Sequence, residues 1–240
     1  MTLLLLAGTG DARRIAQALV GTDIVASLAG ATRMPEPLPI PTRRGGFGGA
    51  AGFADFLDAN NITAVLDATH PYASQITARS AEICKKRGVP FLQFLRPGWT
   101  QEPGDNWTDI SKEEEAASHI KPGATVFLGT GRQSLERFAN LASCNVICRQ
   151  IDPPDGPFPF AGGEFLVGRP PFSVADEVTL FQDRKIDWLI VKNAGGAASR
   201  TKLTAANRLK IPVLMLARPA LGNWPCVDSI DGALDWVADL

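Results

Sequence analysis

The chain has 240 residues, with 24 Lys+Arg against 25 Asp+Glu and a formal net charge of −1 at pH 7. This balance excludes a nucleic-acid binder that works through bulk positive charge. Hydrophobic residues make up 45% of the chain, which allows a sizeable core in one large α/β domain or two small ones. No apolar run, residues 3–7 included, approaches the roughly 20 residues of a membrane helix, and no basic residue precedes residues 3–7 as in a secretory signal. We therefore expect a cytoplasmic protein with no membrane or nucleic-acid partner.

Short apolar runs typical of buried strands alternate with amphipathic stretches typical of helices along the whole chain. The predicted strands span residues 3–7, 24–28, 64–68, 91–94, 125–128, 145–151, 188–192 and 213–217. The predicted helices span residues 11–19, 49–60, 73–87, 111–120, 133–141, 173–184, 199–209 and 229–238. This alternation is typical of α/β folds in which mainly parallel sheets are covered on both faces.

Two features divide the chain into halves. Residues 96–105 are rich in turn residues, and the motif strand, Gly-Thr-Gly, helix occurs both at residues 3–11 and at residues 125–132. The sequence therefore predicts two Rossmann-like lobes, residues 1–97 and 98–240, with a ligand cleft between them at the carboxyl ends of the strands. A proline-rich stretch, residues 152–171, is too long for a simple connection and is predicted to be a functional flap.

The four cysteines do not form a metal or disulfide pattern. Cys84 and Cys226 stand alone, and Cys144 and Cys148 lie four residues apart in a predicted strand, without any CxxC motif. With only two histidines in the chain, no metal site is expected. The cysteines are better interpreted as small buried hydrophobic residues in a reducing compartment.

A glycine-containing turn follows the first predicted strand. Gly8, Thr9 and Gly10 stand where that strand meets the first helix, and Asp11 opens the helix. Glycines let the backbone approach a phosphate, which the free N–H groups of residues 11–13 would bind. The third glycine of the dinucleotide pattern is replaced by Arg13, so the motif predicts nucleotide binding less specifically than the full pattern; a tight turn without a ligand stays open.

The end of the second predicted strand favours NADP over NAD. NAD-binding proteins usually place an acidic residue there for the ribose 2′-hydroxyl, whereas arginine accommodates the 2′-phosphate of NADP. Here no acid occurs until Glu36, and Arg33, Arg43 and Arg44 are the candidate phosphate ligands. Solvated loop arginines are the alternative for each of them.

The loop after the third predicted strand contains the residues best suited to proton chemistry. Asp67, Thr69, His70 and Tyr72 occur within it, and Tyr72 is the only tyrosine of the chain. Histidine and tyrosine can both donate protons, so His70 and Tyr72 are the candidate catalytic residues, and Thr69 and His70 also join the predicted cofactor site. A purely structural role at the start of a helix is the alternative for His70.

Two turns in the second half combine cations with glycine. Lys192 and Asn193 end a predicted strand and are followed by Gly195 and Gly196, and Arg132 follows the second Gly-Thr-Gly turn. This pattern suits carboxylates or a pyrophosphate. A plain strand-to-helix connection is the alternative.

These motifs together resemble the precorrin-6A reductase family of cobalamin biosynthesis. The resemblance covers essentially the whole chain, and its most specific element is Asp-Ala-Thr-His-Pro-Tyr-Ala at residues 67–73. Family members often have Glu at the position of Asp11 and Ser at the position of Ala194, so the backbone of Gly195 and Gly196 is the better candidate contact in that loop.

The resemblance implies NADPH-dependent reduction of precorrin-6A to precorrin-6B inside two Rossmann-like lobes. It implies a tetrapyrrole polycarboxylate substrate, held by Arg132, Lys192, Asn193, Gly195 and Gly196, and hand-over to neighbouring enzymes of the pathway. A cobalt-containing substrate, a methyltransferase or sugar-nucleotide enzyme and a non-catalytic carrier stay open as alternatives. A short-chain dehydrogenase is excluded, because Ile76 stands where its Tyr-x-x-x-Lys motif requires lysine.

Overall fold

A computed structural model describes residues 1–30, 33 and 35–240. Within these residues the strands are Thr2–Ala7 (β1), Ile24–Leu28 (β2), Thr42–Arg44 (β3), Ile62–Asp67 (β4), Phe91–Phe94 (β5), Trp107–Ile110 (β6), Thr125–Leu128 (β7), Asn145–Gln150 (β8), Glu164–Val167 (β9), Trp188–Lys192 (β10), Val213–Leu216 (β11) and Cys226–Val227 (β12). The α-helices are Gly10–Ala18 (α1), Gly49–Ala59 (α2), Ser74–Arg87 (α3), Val174–Asp183 (α4), Thr201–Leu209 (α5) and Ile230–Ala238 (α6). The 3-10 helices span Glu113–Ser118, Arg132–Leu141 and Ala197–Ser199.

The described strands form two six-stranded sheets in which every pair is parallel. The strand orders are β12-β5-β4-β1-β2-β3 and β6-β11-β10-β7-β8-β9. Central strands such as β1 are apolar and buried throughout their middle, as expected of strands covered on both faces. The predicted α/β class with two parallel sheets is confirmed.

The chain divides into two compact units, Met1–Pro97 with Pro219–Leu240, and Gly98–Arg218. The first boundary agrees with the prediction, but the assignment of residues 219–240 to the second lobe is wrong. β12 adds a parallel strand beside β5, and Ala233 and Val237 of α6 are buried in the core that also holds Ala12 and Ile15 of α1. The tail therefore completes the sheet and core of the first unit. The cleft expected between the lobes stays a prediction.

Two predicted α-helices are 3-10 helices. Residues 111–120 contain only Glu113–Ser118 in this form, and residues 133–141 belong to the longer Arg132–Leu141 segment. In that segment Leu135, Phe138 and Leu141 are buried. The segment is not one regular helix, because Phe138 has a φ of −99° and a ψ of 18° and forms a kink that divides it into two short helices.

Candidate active site

The turn between β1 and α1 is fixed by the hydroxyl of Thr9. This oxygen accepts a hydrogen bond from the amide of Ala12 at 3.0 Å, which caps α1, and donates one to the carbonyl oxygen of Ala68 at 2.9 Å. Ala68 follows β4, the neighbour of β1 in the sheet. Thr9 therefore holds together two of the loops at the carboxyl edge of the first sheet.

Gly8 and Gly10 leave space at the start of α1. Gly8 has a φ of +141°, which side-chain-bearing residues rarely adopt. Gly10 has no such constraint, and apart from its chain neighbours and the backbone of α1 no described atom lies within 4 Å of the position that its Cβ would take. The amides of Ala12 and Arg13 are bonded to Thr9, so the first-turn amides left for a phosphate are those of Gly10 and Asp11. The turn therefore fits a nucleotide phosphate, but of the amides of residues 11–13 predicted to bind it, those of Ala12 and Arg13 are already bonded within the protein and only that of Asp11 is left.

The side chain of Asp11 is directed to the protein itself. Its carboxylate forms an ion pair with Arg96 at 2.6 Å and a longer one with Arg14 at 3.6 Å. Arg96 follows β5, so the pair joins a third loop to the start of α1. A direct cofactor contact predicted for Asp11 is therefore best assigned to its backbone amide, whereas its carboxylate positions Arg96.

The three candidate 2′-phosphate ligands differ in their surroundings. Arg43 donates to the Ser27 hydroxyl at 2.7 Å and to the carbonyl oxygens of Gly45 and Gly46 at 2.9 and 3.0 Å. Its guanidinium also lies 4.2 Å from the centroid of the Phe47 ring, and burial lowers its pKa. Arg43 thus holds the glycine-rich turn in shape.

Arg33 and Arg44 are both exposed. Arg44 is the last residue of β3, beside the carboxyl end of β2. This is the end of the sheet at which a ribose phosphate is bound in doubly wound folds. Exposure therefore favours Arg33 and Arg44 over Arg43 as phosphate ligands, and position at the sheet edge favours Arg44 as well.

The loop after β4 orders His70 through its backbone. The side chain of Asp67 is fully buried and accepts a hydrogen bond from the Thr69 amide at 2.9 Å. Burial raises the pKa of Asp67, although hydrogen bonds from Thr77 and Thr69 oppose the shift. The Nδ1 atom of His70 accepts from the Tyr72 amide at 3.3 Å, and the two rings lie 5.7 Å apart. Neutral His70 therefore carries its proton on Nε2.

The Asn193 amide group binds the chain rather than projecting into solvent. Its Oδ1 accepts from the Trp99 amide at 2.7 Å and its Nδ2 donates to the Trp99 carbonyl oxygen at 3.0 Å. The Trp99 indole donates to the carbonyl oxygen of Gly196 at 2.9 Å, and Arg218 donates to the carbonyl oxygen of Asn193 at 2.7 Å. Asn193 therefore has a structural role that the sequence did not reveal.

The remaining substrate candidates lie at the carboxyl ends of neighbouring strands of the second sheet. Lys192 ends β10, and burial lowers its pKa while Glu113 opposes the shift. Gly195 and Gly196 have φ values of +71° and +84°, so glycine is required for the shape of their turn. Arg132 begins the 3-10 helix after β7 and forms an ion pair of 3.2 Å with Asp155.

The comparison with known proteins decides the family. The profile of the family described as "Precorrin-6x reductase CbiJ/CobK" matches residues 2–238. The precorrin-6A reductase of Rhodococcus erythropolis is 43% identical over 244 residues, which cover 99% of this chain and 98% of the relative. The chain belongs to the precorrin-6x reductase family.

A solved structure and a more distant relative agree with this membership. The structure named "CobK precorrin-6A reductase" superposes with a TM-score of 0.95 at 38% identity and covers 100% of this chain and 97% of that one. A cobalt-precorrin-6A reductase of Synechocystis is 26% identical over 237 residues, 91% of this chain and 88% of its own. The reductase family resemblance inferred from the sequence motifs is confirmed.

Within this reductase, the described residues offer proton donors and anion ligands but no metal ligand set. They contain no group of three or more His, Cys, Asp and Glu side chains that would hold a metal ion. Burial raises the pKa of Cys84 to about 12 and of Cys148 to about 11, which keeps both thiols protonated and poorly nucleophilic. None of the described helices is long and apolar enough to cross a membrane.

Arg96 was not among the residues predicted for the site, although it follows the end of a strand, as His70 does.

Proposed function

We propose that this protein is an NADPH-dependent oxidoreductase that reduces precorrin-6A to precorrin-6B in cobalamin biosynthesis. The observation that carries this proposal is the start of α1, where Gly10 leaves open space beside amides suited to a phosphate. It is joined by the family membership, whose relative from Rhodococcus erythropolis is named a precorrin-6A reductase. Bound NADPH would supply the hydride that, together with a proton, reduces a conjugated C=C or C=N bond of the substrate macrocycle.

The residues of the first unit support the choice of NADPH. The amides of Gly10 and Asp11 would bind the pyrophosphate, and the helix dipole of α1 would favour its charge. Arg33 and Arg44 would bind the 2′-phosphate, whereas Arg43 maintains the glycine-rich turn that joins β3 to α2. Arg96 is a further cation at this edge, held in place by Asp11.

The residues after β4 would position the reacting groups. Thr9 bonds to Ala68 and thereby holds the β4 loop next to the start of α1. The same loop fixes His70 with its proton on Nε2 when neutral, so His70 can donate a hydrogen bond at this edge of the sheet. We assign to His70 and Tyr72 the positioning of the reacting groups, with the macrocycle nitrogens or solvent as the proton source.

The second unit would hold the acidic side chains of the tetrapyrrole. Lys192, Arg132 and the backbone of Gly195 and Gly196 lie at the carboxyl edge of the sheet, where anionic ligands are expected. Asn193 would contribute by keeping the Lys192 loop in shape through Trp99.

The degree of similarity favours precorrin-6A over its cobalt complex. Identity is 43% with the precorrin-6A reductase of Rhodococcus erythropolis and 26% with the cobalt-precorrin-6A reductase of Synechocystis. A reductase that must hold a bound cobalt ion has different electrostatic demands near the macrocycle, so the more similar relative is the better guide to the substrate.

A comparison of four reactions tests the proposal. Purified protein is incubated with precorrin-6A or cobalt-precorrin-6A, each with NADPH or NADH, and the nicotinamide and tetrapyrrole absorbance bands are followed together. We expect coupled changes in both bands, fastest with precorrin-6A and NADPH. If neither absorbance band changes in any of the four reactions, the assignment as a reductase is refuted. Equal rates with NADH and NADPH would refute the cofactor assignment.

A further inference from the structure

The two Gly-Thr-Gly turns differ in how they use their threonine hydroxyl. In the first turn Thr9 has two hydrogen-bond partners. In the second turn Thr130 is 7% exposed, and its Oγ1 atom is buried without a hydrogen-bond partner among the described residues. The same sequence motif therefore has a structural hydroxyl in one unit and an unpaired one in the other.

A second buried polar side chain lies at the end of β8, the strand that pairs with β7. Gln150 ends β8 and is 7% exposed, and neither its Oε1 nor its Nε2 has a partner in the described part of the chain. Leu128 of β7 pairs with Cys148 of β8, so Thr130 and Gln150 each lie two residues beyond that pair at the carboxyl edge. Period two places Gln150 on the same face of the sheet as Cys148.

Such side chains need an explanation other than stability. A buried polar atom without a partner lowers the free energy of unfolding, whereas valine or leucine of similar shape would not. Residues that violate this rule are expected at functional sites. The hydroxyl of Thr130 and the Nε2 of Gln150 are donors that an anionic oxygen would satisfy.

Charged residues around this pair indicate a carboxylate ligand. Arg132 lies two residues after Thr130, and Lys192 ends β10, the strand beside β7. Arg132 already binds one carboxylate, that of Asp155, which lies on the segment between β8 and β9. This ion pair is exposed, so it is weak and can be exchanged for another carboxylate.

We propose that Thr130 and Gln150 form, with Arg132, a binding site for one carboxylate side chain of the substrate, and that Asp155 occupies its place on Arg132 in this structure. The proposal rests on the proposed function for the identity of the ligand. Because the polar atoms of Thr130 and Gln150 are shielded from solvent, the substrate must displace Asp155 from Arg132, and residues that cover these atoms must move before its carboxylate reaches them.

The variants Thr130→Val and Gln150→Leu test this site, with Thr9→Val as the matched control. Precorrin-6A affinity is measured without nucleotide from the shift of the tetrapyrrole spectrum, and thermal unfolding is measured in parallel. We expect Thr130→Val and Gln150→Leu to weaken precorrin-6A binding about tenfold each, the effect of one lost hydrogen bond to a charged group. Their Tm should equal or exceed that of the wild type, whereas Thr9→Val should lower Tm by about 2 °C or more.

Gln150→Glu gives an independent readout through pH. It should weaken binding more than Gln150→Leu at pH 8, because it places a negative charge beside the ligand, and affinity should recover toward acid pH as the new carboxyl becomes protonated. Unchanged affinity in Thr130→Val and Gln150→Leu would overturn the site. A lower Tm in both would also overturn it, since the polar atoms would then have partners in the protein.

The binding measurement is separate from turnover. A wild-type protein that binds precorrin-6A but does not reduce it would refute the proposed function, and weaker binding by the variants would still support the site. A wild-type protein that does not bind precorrin-6A would overturn both.

Discussion

The carboxylate of Asp11 and the guanidinium of Arg96 form an ion pair of 2.6 Å in which both side chains are mostly shielded from solvent. The pair connects the first turn of α1 with the loop after β5. It places Arg96 at the edge of the first sheet where we propose that the cofactor binds. The carboxylate of Asp11 would then act on that site by positioning Arg96.

Loss of this pair should destabilise the protein. Arg96→Gln leaves the partly buried Asp11 carboxylate without its nearest cation, and we expect the free energy of unfolding to fall by about 1–3 kcal/mol. Arg14→Gln is the matched control, because Arg14 is exposed and lies 3.6 Å from the same carboxylate; it should cost less than about 0.5 kcal/mol. Urea unfolding measures both. Equal effects of the two variants would contradict the role assigned to Arg96.

Substitution of the exposed Arg33 and Arg44 should affect cofactor binding, whereas substitution of Arg43 should affect stability. Arg33→Ala combined with Arg44→Ala should weaken NADPH binding about ten- to a hundredfold and leave NADH binding unchanged, since a charge-assisted contact to the 2′-phosphate is lost. Arg43→Gln should instead lower Tm, because the Ser27, Gly45 and Gly46 contacts are lost. Fluorescence titration with both nucleotides measures the difference. An unchanged preference for NADPH in the double variant would make the arginine assignment wrong.

His70 should act as a positioning residue. A general acid contributes typically 10²–10⁴-fold to the rate, so we expect His70→Ala to lower kcat by less than about a hundredfold, and Tyr72→Phe by less still. Steady-state kinetics at saturating NADPH measure both. A decrease of about a thousandfold or more in His70→Ala, with unchanged NADPH affinity, would identify His70 as the proton donor instead.

Lys202 should make stability depend on pH. Burial lowers its pKa from 10.5 to about 8, with Glu177 opposing the shift. Between these pH values the unfolded chain binds more protons at this residue than the folded chain does, so its contribution makes the free energy of unfolding rise from pH 8 to pH 10.5. The rise should amount to roughly 1–3 kcal/mol.

The buried thiols of Cys84 and Cys148 have the opposite effect on stability in this pH range, because their pKa values are raised in the folded protein. Comparison with Lys202→Met isolates the contribution of Lys202 from theirs. The wild type minus Lys202→Met difference in free energy of unfolding should increase between pH 8 and pH 10. A difference that is constant over this range would show that the ammonium of Lys202 is not desolvated in the folded protein.

Most of the fold could be predicted because the central strands are apolar and buried. All eight predicted strands have a counterpart, whereas β3, β6, β9 and β12 were missed. These four are the edge strands of the two sheets, and β3 consists of Thr42, Arg43 and Arg44, whose pattern does not indicate a strand. The return of residues 219–240 to the first unit depends on pairing between β12 and β5, a long-range contact that no local pattern encodes.

The candidate site was predictable by residue type but not by orientation. Glycines at the ends of β1 and β10 were visible as turns, and the structure gives Gly8, Gly195 and Gly196 the positive φ values that explain them. Arg43 and Asn193 are also suited by type to bind ligands, but carbonyl groups of their own chain take up their donors. Such competition depends on three-dimensional proximity, so the sequence could not reveal it.

Transfer of a labelled hydride shows whether NADPH reduces precorrin-6A on this protein. The protein is incubated with precorrin-6A and NADPH that carries deuterium at the transferable position of the nicotinamide, and the tetrapyrrole product is analysed by mass spectrometry. We expect a product that has gained one deuterium from the nucleotide and one proton from solvent or the site. A reduced product without deuterium, or no reduced product at all, would contradict it.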